Sequence, residues 1–273
     1  MGKRKAEITY DYQPLSKRIA QRKEKGSSSI KPKNCIAPKK TSKKTKETSK
    51  ANGPVKRNYP KLIEEADNEE TEQIKLTAKP PTRNKKGELV FDTYPEFQPN
   101  MTPKEVLQAG SFGGTYFRPI KSVITGKSYS VIWKELPKDW LEGLNIDRQI
   151  ASSAYHEDVN TYKVKCGGSL QMWEESGWIH KQDPYGWFQW YCRFYQGRRT
   201  SDDQRQIGRW LRCAGRTGRW RNNLIAKCFR SGCGFDNSGI SPVVRQTLQH
   251  WGYRLTKEDF EAGAKRLRKK GRA

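Results

Sequence analysis

Acidic residues are scarce in this chain: 29 Asp and Glu face 54 Lys and Arg, a net charge of +25 over 273 residues. Such a deficit favours a polyanionic partner, with nucleic acid (DNA or RNA) first and an anionic membrane surface or an acidic protein after it. Long apolar runs are missing too. Nothing approaches the roughly 18–20 residues of a membrane span. No apolar segment of the secretory kind follows the basic N-terminus. The expectation is an intracellular protein that is not secreted and has no membrane partner. Histidine is rare, with three residues, and the six cysteines contain no CxxC pair. Structural zinc normally shows tighter paired spacing, so reduced thiols and no metal are expected. Walker, nucleophile-elbow, kinase and zincin spacings are absent as well, and no cofactor is expected.

The aromatic content is unevenly placed. Residues 1–90 hold 24 Lys and Arg, 11 Asp and Glu, no Trp and almost no other aromatic. Residues 91–273 hold all nine Trp. Hydrophobic residues make up only 33% of the whole, so only the second part can bury enough apolar surface to offset its ordering entropy. This reads as a disordered basic arm over 1–90, one folded domain over 91–262 and a basic tail over 263–273. In the arm, Lys3-Arg4-Lys5 followed by Lys17-Arg18 and Arg22-Lys23-Glu24-Lys25 resembles a bipartite nuclear-import signal, which predicts a nuclear location. An acidic block, Glu64 to Glu72, interrupts the arm.

Within the folded part the pattern is helical. Thr102-Pro103-Lys104-Glu105 is a capping box with Pro in the first turn. Gly113-Gly114 beside Arg118 reads as a tight turn rather than a phosphate cradle. Lys121–Ile124 and Tyr129–Trp133 read as a small hairpin about Thr125–Ser128, Leu136–Leu141 as a turn that pins Trp140, and Tyr162–Lys165 as a short strand. Ser169 caps a helix through Trp173. Asp183-Pro184 is expected to cap the next, where Trp187, Trp190/Tyr191 and Phe194/Tyr195 recur at helical spacing. That stripe is core, with Trp178 or Tyr195 the candidates for exposed stacking platforms. The fold class expected is mostly α: a compact bundle of short helices on a Trp-rich core with a minor β-hairpin.

Ser201-Asp202-Asp203-Gln204 is a second expected capping box, opening a helix that buries Ile207, Trp210 and Leu211. The helix about Arg219–Phe229 buries Trp220, Leu224, Ile225 and Cys228. From Arg193 to Arg230 eleven basic residues face only Asp202 and Asp203. Like charges four apart on a helix cost stability, and arginine's planar fork suits phosphate. Arg198, Arg199, Arg205, Arg209, Arg212, Arg216, Arg219 and Arg221 are therefore the expected phosphate contacts of a non-enzymatic, mainly sequence-non-specific nucleic-acid-binding protein. Ser241-Pro242 caps a further helix to Trp251, whose Arg245 is its only groove-reading candidate. Thr256 starts a last one. Two alternatives stand beside this reading. One is a nuclease-like enzyme, for which His180, Asp183 and His250 are the nearest candidates. The other is a protein-interaction module whose basic arm serves only for targeting.

Three blocks carry a resemblance: Phe112–Ile120 (FGGTYFRPI), Gly186–Arg199 (GWFQWYCRFYQGRR) and Arg245–Tyr253 (RQTLQHWGY). Together they resemble an uncharacterised Trp-rich domain of scattered eukaryotic and viral proteins. The resemblance implies one domain behind a variable basic arm, and it implies no activity or catalytic residue.

Overall fold

The buried side of one nine-residue helix organises the fold. A computed structural model describes residues 75–270; the basic clusters of residues 3–25, the acidic block and most of the arm lie outside the described residues. Among the described residues are seven α-helices: α1 (Pro103–Gln108), α2 (Leu170–Glu175), α3 (Trp187–Tyr195), α4 (Asp203–Cys213), α5 (Arg219–Ser231), α6 (Pro242–His250) and α7 (Lys257–Lys270). Two antiparallel pairs join them, β1 (Thr82–Arg83) with β2 (Leu89–Val90) and β3 (Ile120–Lys121) with β4 (Ser128–Tyr129). No helix among the described residues is long and apolar enough to cross a membrane.

Helix α3 is central because its apolar residues surround almost its whole circumference. Trp187, Phe188, Trp190, Tyr191, Cys192 and Phe194 are all buried, and only Arg193 and Tyr195 are partly open. A helix apolar all round must be enclosed, and here the other elements do the enclosing. Phe97 sits edge-on to Trp187, Tyr191, Phe194 and Trp210. Trp187 stacks on Trp251 at 4.4 Å between centroids. The expected mostly helical fold and Trp-rich core are what the chain forms.

Local signals hold where a side chain can satisfy its own helix. Thr102 Oγ1 accepts from Glu105 N while Glu105 caps Thr102 N. Ser169 Oγ accepts from Met172 N, and Thr256 Oγ1 from Asp259 N. Gly113 and Gly114 have φ of 57° and 77°, and a Cβ on Gly114 would lie 1.9 Å from Arg148 O. The expected tight turn is therefore one that only glycine fits.

Distant partners overturn other local expectations. Asp183 does not cap α3: the first-turn donors Phe188 N and Gln189 N go instead to the Tyr116 hydroxyl at 2.9 and 3.1 Å. Asp202 makes no cap hydrogen bond. Asp203 reaches back to Thr200 N and also accepts from the Trp190 indole at 2.9 Å, fastening α4 to α3. Ser241 lies at φ 54° without capping α6. The hairpin is two residues per strand and gives way to a 3-10 turn over Ile132–Glu135. The predicted strand at Tyr162–Lys165 does not form; Asn160, fully buried, ties that loop down through Val164 O and Gly113 N.

Both domain boundaries also move outward. Leu76 bridges to Arg198, Thr77 N and Ala78 N donate to Gly197 O, and Leu89 is buried. The stretch from Leu76 to residue 90 is thus part of the fold rather than of an arm. At the other end α7 continues to Lys270, with Ala264 buried and Gly263 so close to Ile225 that a Cβ would meet its side chain at 2.6 Å. Residues 263–270 are helix, not a loose tail.

Candidate nucleic-acid interface and an aromatic cavity

The expected arginine row divides into two populations. Arg198 is 7% exposed and forms a 2.6 Å ion pair with Asp183, itself fully buried. Asp183 also takes Arg193 at 3.0 Å, and Arg193 holds Glu135 at 2.6 Å. Arg221 is 8% exposed, paired with Asp259 and laid over the Tyr253 ring at 4.8 Å. Arg205 forks onto both oxygens of Asp202, whose carboxyl is held below its usual range by that guanidinium despite burial. Arg199 lies 3.9 Å over Phe194 and donates to two backbone carbonyls. Arg198 and Arg221 are thereby committed to the interior, which corrects their expected exposure.

The second population faces solvent. Arg212, Arg216 and Arg219 are exposed, and none has a carboxylate partner among the described residues. Arg219 extends over Trp220 at 5.0 Å. Arg245, the candidate for groove reading, is 5% exposed and occupied with Ile240 O, Phe235 O and Cys228 Sγ, so it cannot reach a base.

Arg209 lies between these populations. It is held between the rings of Trp178 and Trp251, at 5.6 and 5.5 Å, and donates to Gln206 Oε1 and Trp178 O. It has no carboxylate partner among the described residues. Burial, with Arg205 and Arg212 alongside on α4, lowers its pKa to about 10, which leaves it charged at neutral pH.

Arg209 forms part of the wall of a cavity of about 530 Å³. Phe112, Tyr116, Trp173, Trp178, Phe188 and Trp251 give it an aromatic lining, and Arg118 and Lys165 are its other cations. No Asp or Glu lines it. The three sequence blocks singled out above meet here: Phe112 N donates to His250 Nε2 at 2.9 Å, Trp187 Nε1 donates to His250 O, and Phe188 N donates to Tyr116 OH. Trp178, one of the two expected stacking platforms, is 43% exposed; Tyr195 instead packs edge-on to Trp140. Sequence reasoning did not single out Trp173, Lys165 or the cavity, because their meeting depends on a loop closing over α6.

His250 is 7% exposed, and burial lowers its pKa to about 3. Its Nε2 faces the Phe112 amide and lies 3.1 Å from Gln246 Nε2, so the neutral ring carries its proton on Nδ1. Nδ1 has no partner among the described residues. The residues nearest to a hydrolytic set are thus all engaged otherwise: Asp183 by two arginines, His250 Nε2 by a main-chain amide, and His180 by Gln182 N. Cys166, Cys192, Cys213 and Cys228 are buried, and burial pushes Cys213 up to about 12, which makes it an inert thiol. No three His, Cys, Asp or Glu side chains gather among the described residues. No protein-family model matches the chain, and no curated protein or solved structure is similar enough to count as a relative.

Proposed function

We propose that the chain binds nucleic acid, without catalysis and mainly without sequence preference, through guanidinium contacts to phosphate. The observation that carries this reading is the series Arg209, Arg212, Arg216 and Arg219 on α4, α5 and the turn between them, none with a carboxylate partner among the described residues. Unpaired arginines on consecutive helices repel one another, so a polyanion that neutralises them gains affinity by releasing counterions. Arg198, Arg199, Arg205 and Arg221 serve this surface indirectly, by fixing the helices that present it. The basic clusters of residues 3–25 fit a protein delivered to the nucleus and add non-specific affinity.

The test is binding of the full chain to single- and double-stranded DNA and RNA across a salt series. An Arg212→Glu/Arg216→Glu/Arg219→Glu variant runs alongside. Steep salt dependence, with the slope reduced by about three in the variant, supports the interface. An unchanged slope refutes it, and affinity indifferent to salt points to a protein partner.

A further inference from the structure

We infer that the aromatic cavity is a nucleobase site, receiving one unpaired or terminal base while the attached phosphate meets Arg209 and Lys165 at its wall; this rests on the nucleic-acid reading above. The cavity falls within the 300–1,000 Å³ range of small-ligand sites. Its lining has what a base with its phosphate requires and lacks what would repel it. Aromatic lining comes from Trp173, Trp178, Phe112 and Trp251, of which Trp178 is the most exposed, and cations from Arg118, Lys165 and Arg209, with no carboxylate among the described lining residues. Stacking of this kind tolerates any base, because every base has a π face.

Two further features favour a ligand over empty space. His250 lines the cavity: its Nε2 is held by Phe112 N, and its Nδ1–H makes no hydrogen bond among the described residues and is open to solvent. A base offers carbonyl or ring-nitrogen acceptors on its edge to such a donor. Trp178 is a large apolar side chain left 43% exposed at the cavity, with Arg209 beside its ring. A ring sliding over Trp178 would place its phosphate against that guanidinium. The exposed Arg212 lies further along the same helix, in line to meet the next phosphate.

The experiment uses the full chain and short single strands carrying 2-aminopurine at either end or in the centre. Base stacking quenches this fluorophore. Two variants change no arginine: Ser153→Trp, which fills the cavity from an exposed lining position, and Trp178→Ala, which removes the exposed ring and with it one of the two rings that hold Arg209. The expected result is quenching at one of the three positions, lost in both variants, with single-strand affinity reduced about tenfold. In Ser153→Trp, duplex affinity and its salt slope stay as in the wild type. A second arm follows adenosine monophosphate by saturation-transfer NMR. Transfer to its base protons, abolished by Ser153→Trp, identifies a free nucleotide as an occupant and supports the same site. If strands bind with a steep salt slope but no position is quenched, no transfer is seen and both variants behave as wild type, the base site is refuted while the phosphate interface stands. If strands do not bind but the mononucleotide enters the cavity, the interface fails and the base-phosphate site survives.

Discussion

Arg198 and Arg221 belong to the same basic segment as Arg212, Arg216 and Arg219, yet the two groups sit in opposite environments. The first pair is sunk into the domain, each on a buried or half-buried carboxylate, with a ring beneath Arg221. The second set is exposed, with no acid near enough to pair among the described residues. The acids that decide the matter, Asp183 and Asp259, lie outside the arginine-rich stretch in sequence. What separates a buried arginine from an exposed one here is therefore partner supply, which no count of charges within the segment can reveal.

Removing the carboxylate at the centre of the buried group tests the comparison most severely. Asp183→Ala leaves Arg193 short of one partner and Arg198 with none, and loss of one side of a buried pair costs about 3–5 kcal/mol. Denaturant unfolding should show that loss; a change below about 1 kcal/mol would mean that water already screens the network.

A smaller effect is expected from His250. Its folded pKa of about 3 lies below the ordinary 6.5, so the unfolded chain takes up a proton that the folded one refuses. The stability from burying the neutral ring is complete above pH 6.5 and falls as the pH drops toward 3, by roughly 2–3 kcal/mol at pH 4.5. Thermal unfolding between pH 7 and 4.5 should follow that slope, and His250→Gln should flatten it. If the variant keeps the full slope, other groups are responsible.

Arg199→Ala removes a guanidinium stacked on Phe194 and should cost about 1 kcal/mol. Arg199→Lys should recover only part of that loss, because an ammonium cannot stack as a plane. At the bottom of the scale, Arg212→Glu, Arg216→Glu and Arg219→Glu together should shift stability by less than about 0.5 kcal/mol each. A larger loss would place these side chains among the structural ones and erase the contrast.

Much of the fold was legible because it is written in short-range patterns. The capping box at Thr102, the Ser169 cap, the glycine turn at 113–114 and the aromatic stripe of α3 each need only neighbours within a few residues. The start of α3 was not legible, since Tyr116 supplies its cap from the far side of the core. Asp203 lies in the first turn of α4 as expected, but its hold on the Trp190 indole was not legible. The outward shift of both boundaries has a similar origin: Leu76, Leu89 and Gly263 look unremarkable until Arg198, Pro99 and Ile225 lie beside them. At the candidate site, Trp178 and the arginine rows could be named in advance, but the cavity could not.

By itself the amino-acid sequence determined that this protein would be mostly helical, strongly basic and built on tryptophan, because periodicity and composition act through local geometry and total charge. Only the tertiary structure decided which arginines are buried and which stay free, and that Phe112, Trp178, Arg209 and His250 surround one cavity. Burial and pairing depend on residues far apart in the chain reaching the same few ångströms, and that meeting is settled by packing around α3.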